Sequence, residues 1–181
     1  MNLLIGCSSR EDIPDKYFKF CAEYLDELFK ENNNLVFGAY NAGLMRVSYE
    51  MAVKYNRDVI GINPKIFESA FLDLNCNKEI VTNTINERTS KLIEEADALI
   101  FMPGGVGTIY EFFTALESKR SGEFDKPIII YNACNYFDKL LLFMEDMYDE
   151  NFTSSEVREC YYISDSAKDT IEYINNYKYN N

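Results

Sequence analysis

Ala98-Leu99-Ile100-Phe101-Met102-Pro103-Gly104-Gly105-Val106-Gly107-Thr108-Ile109-Tyr110-Glu111 reads as an apolar strand, a glycine turn and the opening of a helix. An apolar run with no polar break suits a strand covered on both faces, as in a parallel sheet. Runs of the same kind occur at Asn2–Gly6 (NLLIG), Leu35–Gly38 (LVFG), Val59–Ile62 (VIGI) and Pro127–Tyr131 (PIIIY). Lys78–Thr82 and Tyr161–Ser164 are weaker strand candidates. Between them lie helical patterns. In Asp15–Lys30, the residues Tyr17, Phe20, Cys21, Tyr24, Leu25, Leu28 and Phe29 recur at steps of three and four. Ala42–Tyr55, Asn86–Ala96, Thr108–Lys119, Phe137–Tyr148 and Ala167–Tyr177 read similarly. Strands alternating with helices, joined by right-handed crossovers, predict an α/β fold: a doubly wound, mainly parallel, Rossmann-like sheet with helices on both faces. Neither a repeat nor a low-complexity linker divides the chain, so residues 1–181 are read as a single domain, with the tail Asn175–Asn181 expected to fray.

In such a sheet ligands bind beyond the carboxyl ends of the strands, which directs attention to the loop Pro103–Thr108. Glycines there allow a sharp turn and close backbone approach to a ligand. Their N–H groups and the helix N-terminus together suit a phosphate. No lysine follows as in a Walker loop, and the G-x-G-x-x-G dinucleotide fingerprint is absent. A structural alternative exists: Thr108-Ile109-Tyr110-Glu111 spells a capping box, with Thr108 as N-cap and Glu111 reaching back. Spacing alone leaves capping and catalysis level. Thr84-Ile85-Asn86-Glu87 spells a second capping box, followed at once by Arg88. That arginine would be a solvated helix residue if taken alone. Its place after a strand, on the same sheet edge as the glycine loop, makes it a site candidate.

Composition narrows the chemistry. The chain has 181 residues, 47% of them hydrophobic, and no histidine. That absence excludes Ser-His-Asp and Cys-His nucleophiles, His-ligated zinc and a His general base within the chain. The net charge of −12 argues against nucleic-acid binding through a basic face. Cys7, Cys21, Cys76, Cys134 and Cys160 form no C-x-x-C pair, as expected of free thiols in a reducing cytoplasm. The first residues lack the basic start of a signal peptide, and no apolar run is long enough to span a bilayer, so no membrane partner is expected.

Together these segments resemble the LOG family, the cytokinin nucleoside-monophosphate phosphoribohydrolases often labelled lysine decarboxylase-like. Pro103–Glu111 (PGGVGTIYE) fits that family's P-G-G-x-G-T-x-x-E motif at every fixed position. Gly6-Cys7-Ser8-Ser9, with Pro14 and Tyr17, is similar to its first strand and loop. Gly43-Leu44-Met45 is similar to its G-L-M helix start, Val59–Pro64 to its third strand and Asp125-Lys126-Pro127 to the approach to a later one. Glu87-Arg88 falls where its M-H-x-R-K motif would lie. The resemblance implies hydrolysis of the N-glycosidic bond of a nucleoside 5′-monophosphate, AMP or an N6-modified AMP, to free base and ribose 5-phosphate. It makes Arg88 and Glu111 catalytic. It assigns substrate and phosphate binding to Gly104, Gly105, Val106, Gly107, Thr108, Ser8 and Met45. No metal or other cofactor is implied, since pyridoxal phosphate and a Schiff-base lysine find no support in the sequence.

A non-catalytic nucleotide or phosphorylated-cofactor carrier on the same fold is the alternative reading. The family is typically dimeric. Tyr49, Met51, Tyr55, Tyr110, Phe112 and Phe113 are expected to serve mainly the core, with a share left for a homodimer surface. The chain also departs from the pattern. Tyr40 and Asn41 stand where small residues are usual, Arg46 follows the G-L-M, and Asn86 and Thr89 replace the motif His and Lys. Tyr110 stands where many members carry a first Glu, and Lys91 is placed by helical phase on another face.

Overall fold

β1 (Asn2–Gly6), β2 (Asn34–Phe37), β3 (Val59–Pro64), β4 (Lys78–Thr82), β5 (Ala98–Phe101), β6 (Ile128–Tyr131) and β7 (Tyr162–Ser164) form a parallel sheet. Their order across it is β4-β3-β2-β1-β5-β6-β7. The computed structural model describes residues 1–67 and 74–177. From β1 the chain winds outward to β4, then crosses back to β5 and winds the other way. The reversal therefore lies between β1 and β5, where Leu3 pairs with Ala98 and Gly6 with Phe101. Helices diverge to opposite faces at such a point and leave a crevice above the two strands.

The strands alternate their side chains between two cores. Leu3, Ile5, Leu35, Phe37 and Ile100 face α1 (Asp15–Lys30), α2 (Gly43–Lys54) and α6 (Ala167–Asn176). Leu4, Val36, Leu99, Phe101 and Ile130 face α3 (Ile85–Glu95), α4 (Val106–Arg120) and α5 (Asp138–Asp149). This is the doubly wound arrangement expected from the sequence. Phe29, Phe37, Phe101 and Phe112 are among the largest fully buried side chains, each worth about 1.5–3 kcal/mol of transfer out of water. Both weak strand candidates form, at the two edges of the sheet. Of the two, β4 leaves Lys78 and Glu79 exposed, which explains its weak hydrophobic signal.

Two expectations are corrected. Helix α4 starts at Val106, two residues before the expected Thr108, because Gly105 takes the cap position in an extended conformation. The tail is anchored further than expected. Asn175 and Asn176 close α6, and the Tyr177 hydroxyl accepts from Lys119 Nζ at 2.6 Å and donates to Asp125. Residues 178–181 lie outside the described residues. The five cysteines are free, and Cys7 and Cys21 are buried. Among the described residues no helix is long and apolar enough to cross a membrane.

Candidate active site

A cavity of about 750 Å³ opens beside the carboxyl ends of β1 and β5, within the size range of small-molecule sites. Ser8 lines it after β1, Gly38 after β2, Met45 on α2, and Gly105, Gly107 and Thr108 at the start of α4. Arg88 and Glu111 complete the wall from α3 and α4. The loops after β1 and β5 are laced together. The Ser8 N–H donates to the Pro103 carbonyl at 3.1 Å, and the Ser8 carbonyl accepts from the Leu44 and Met45 N–H groups that open α2.

Arg88 is delivered by a well-capped helix. Thr84 Oγ1 accepts from the Glu87 N–H at 3.1 Å, and Glu87 reaches back to accept from the Asn83 N–H at 2.7 Å. This is the expected capping box, with its return bond one residue earlier than the standard pattern. One residue on, Arg88 turns inward. Its Nε donates to the Ile62 carbonyl at 3.1 Å and its Nη1 to Glu111 Oε1 at 2.7 Å. The guanidinium passes over Gly38 so closely that a Cβ there would lie 1.8 Å from Nη2. Gly38 is therefore the opening through which the arginine reaches the site.

The capping box read at Thr108–Glu111 does not form. With Gly105 as cap, Thr108 sits buried within the first turn of α4, and no side chain caps the helix. Helical phase then carries Glu111 to the inner face, where it is 4% exposed, the one charged side chain in the fully buried set among the described residues. Burial pushes the Glu111 carboxyl up from the usual carboxylate range, and the neighbouring Arg88 cation pulls it back. A buried ion pair adds little net stability, because desolvation offsets its Coulomb attraction. Its position on a cavity wall thus calls for a role other than holding the fold together. Cys7 also lines the cavity, but burial raises its thiol well above the usual range, which disfavours a thiolate there.

The glycines at the mouth of α4 differ from Gly38. A Cβ on Gly105 or Gly107 would meet nothing within 4 Å, and neither residue has a positive φ. No packing or backbone reason in the structure demands glycine at either position. What glycine provides there is clear space beside the helix N-terminus, where first-turn N–H groups lack helical partners and favour an anion. Replacing Gly107 with Ala should therefore separate stability from binding. Alanine in a helical turn stabilises by up to about 1 kcal/mol, while its methyl group would intrude on any anion held at the helix terminus. Thermal denaturation should show an unchanged or higher midpoint, and nucleoside monophosphate affinity should fall at least tenfold.

Of the residues expected at the site, Arg88, Glu111, Gly105, Gly107, Thr108, Ser8 and Met45 converge on the cavity. Gly104 and Val106 lie outside its described lining. Gly104 is buried with its carbonyl accepting from the Tyr136 hydroxyl, and Val106 is 88% exposed. The departures from the family pattern find partners of their own. Tyr110 donates to Asn86 Oδ1 at 2.8 Å, joining α3 to α4 two residues before Arg88 and one before Glu111. Arg46 pairs with Glu11 on the rim at 2.7 Å, and Lys91 pairs with Glu94 away from the site. The residues expected to split between core and surface serve mainly the core: Phe112 is fully buried, and Tyr49, Met51, Tyr55 and Phe113 pack against the two clusters.

Sequence reasoning missed Asn63. Buried in an otherwise apolar strand, it donates Nδ2 to the Ala39 carbonyl at 2.7 Å and lines the cavity. Ala39 has φ +45°, a left-handed conformation unfavourable for alanine, so this bond holds a strained turn beside Gly38. A polar residue closing the run Val59–Ile62 was the available signal. No lysine is among the described residues lining the cavity, so a pyridoxal Schiff base does not fit there. Among the described residues no group of three His, Cys, Asp or Glu could hold a metal ion.

Fold and site together define a class: a doubly wound α/β domain whose switch-point cavity sets a buried Arg–Glu pair beside a glycine-opened helix terminus. The family described as "Possible lysine decarboxylase" matches residues 45–174, and the chain belongs to that family. The chain is 27% identical over 176 residues, 97% of its length and 83% of the relative, to cytokinin riboside 5′-monophosphate phosphoribohydrolase LOG2 of Arabidopsis thaliana. It is 26% identical to LOG4 of the same plant, covering 97% of this chain and 82% of that one. The LOG resemblance is thereby borne out. Among solved structures, the molybdenum cofactor binding protein of Rippkaea orientalis shares the fold with a TM-score of 0.67 at 20% identity, covering 96% of this chain and 94% of that one. The Moco carrier protein of Chlamydomonas reinhardtii also has a TM-score of 0.67, at 15% identity, with 96% and 94% covered.

Proposed function

We propose that this protein is a phosphoribohydrolase: it hydrolyses the N-glycosidic bond of a nucleoside 5′-monophosphate, with AMP as the simplest substrate. The observation that carries this reading is the buried Arg88–Glu111 pair at 2.7 Å, facing the same cavity as the glycine-opened terminus of α4. The bond between C1′ and the base nitrogen breaks with its electron pair going to the base. Water supplies the new hydroxyl on C1′, and a water proton ends on the base. Positive charge builds on the ribose as the bond lengthens, as in other glycoside cleavages. A carboxylate in a poorly solvated site stabilises that charge and can orient the attacking water. Arg88 keeps Glu111 in place and favours its ionised form against the effect of burial, leaving further guanidinium N–H groups for the nucleotide. The phosphate rests on the first-turn N–H groups of α4, beside Ser8 and Thr108. Met45 packs against the nucleotide.

The curated relatives named as phosphoribohydrolases, aligned over nearly the whole chain, support the reaction class. A carrier binding a phosphorylated ligand without turnover would need the glycine loop but not the buried pair. A panel of nucleoside 5′-monophosphates, followed for free base and ribose 5-phosphate, tests the proposal. Release from at least one is expected, and recovery of every nucleotide intact would overturn it.

We further infer a single LOG-like domain acting in the cytoplasm, a setting that suits its five free thiols. Its net charge of −12 gives no basis for a nucleic-acid partner. A homodimer is supported by the partly or fully exposed Ile85, Val106 and Tyr110 near the starts of α3 and α4. Sedimentation at micromolar concentration should give twice the 21.1 kDa chain mass. A monomer there would remove the dimer.

A further inference from the structure

The loop after β6 does something the hydrolytic chemistry does not explain. Cys134 and Asn135 both adopt left-handed conformations, with φ of 54° and 60°. Two successive non-glycine residues in that region store strain, which persists only where surrounding contacts enforce it. Here Asn132 enforces it: its Oδ1 accepts from the Phe137 N–H and its Nδ2 donates to Asp138, both at 2.8 Å. The turn brings Tyr136 back over the neighbouring glycine loop. Its hydroxyl donates to the Gly104 carbonyl at 2.7 Å, and its ring is held edge-on between Tyr17 and Phe137 at 5.4 and 5.0 Å.

The consequence lies in the next peptide group. In a trans peptide the carbonyl and the following N–H point in opposite directions. Fixing the Gly104 carbonyl towards Tyr136 therefore turns the Gly105 N–H the other way. Gly105 lines the cavity, whereas Tyr136 is not among its described lining residues. The preceding peptide is fixed from the opposite side, where the Ser8 N–H binds the Pro103 carbonyl. Because glycine flanks the Gly104–Gly105 peptide on both sides, side-chain sterics do little to choose its orientation. A flipped peptide would present a carbonyl oxygen to the ligand's phosphate in place of a donor.

We propose that Tyr136 is a positioning residue for anion binding: its hydroxyl locks the Gly104–Gly105 peptide with the N–H towards the cavity. This rests on the reading that the cavity takes a nucleoside monophosphate. Tyr136→Phe keeps the ring contacts and removes only the hydroxyl, and the half-exposed position tolerates the change. Titration with ribose 5-phosphate should show a dissociation constant about tenfold higher in Y136F than in the wild type. The Gly105 amide proton resonance should shift on that titration in the wild type and not in the variant. With AMP as substrate, KM should rise about tenfold while kcat stays within twofold, because Arg88 and Glu111 are untouched. Adenosine, which lacks the phosphate, should bind both proteins equally. Equal ribose 5-phosphate affinities would overturn the proposal, as would an equal weakening for adenosine. A wild type that binds ribose 5-phosphate but hydrolyses no nucleotide would defeat the hydrolase reading alone. The two dissociation constants would still decide the role of Tyr136.

Discussion

Glu111→Gln should lower turnover of a nucleoside monophosphate by on the order of 10²–10³-fold, the loss expected for one preorganised electrostatic contact worth about 2.7–4 kcal/mol. The substitution is nearly isosteric, and the amide oxygen can still accept from Arg88 Nη1, which is 2.7 Å from Oε1 in the native pair. What disappears is the negative charge proposed to face the developing cation at C1′ and any ability to take a proton from water. Phosphate anchoring is proposed to lie at the α4 terminus, so AMP affinity should change only a few-fold. Far-ultraviolet circular dichroism and a thermal scan confirm the fold, and a steady-state assay for free base reads the loss. Undiminished turnover would remove Glu111 from the mechanism.

Arg88→Met produces the largest effect on stability. Methionine replaces most of the apolar stem of the arginine but leaves the buried Glu111 carboxylate without its partner. Breaking a buried ion pair in this way costs about 3–5 kcal/mol, a large part of a domain's usual stability of about 5–15 kcal/mol. The cost depends on pH. Burial already raises the Glu111 carboxyl, and losing the cation removes the influence that lowers it. The folded variant then holds a proton that the unfolded chain releases at about pH 4.3, so its stability falls as pH rises through that interval. Acidification should reverse the trend. In urea titrations the gap between wild type and variant should be widest at pH 7 and should narrow towards pH 5, as Glu111 protonates and its burial ceases to strand a charge. A gap independent of pH would show that Glu111 is not the group left exposed to the loss.

Much of this was legible in the residues. The apolar runs and their spacing disclosed the parallel sheet, because strands buried on both faces need no polar alternation. Arg88 and Glu111 emerged through the motif resemblance, and spacing alone left Glu111 level with a helix cap. Only the start of α4 at Val106 decides that choice, through a phase difference of two residues that glycine-rich sequence leaves open. Gly38, Asn63 and Tyr136 stayed hidden for a common reason. Each acts through a contact between segments distant in sequence: Gly38 under Arg88, Asn63 on Ala39, and Tyr136 on Gly104. Local pattern carries no record of such pairs. The same holds for Asn86 and Tyr110, two separate departures from the family pattern that meet in one hydrogen bond.

The cavity beside β1 and β5 is proposed to break a glycosidic bond rather than merely hold a phosphorylated ligand. The most direct test is to mix wild-type protein with AMP and measure bound nucleotide, free adenine and ribose 5-phosphate in the same sample over time. The predicted result is catalytic release of adenine and ribose 5-phosphate in equal amounts, far beyond one equivalent of protein. Saturable binding of AMP with the nucleotide recovered intact would contradict it.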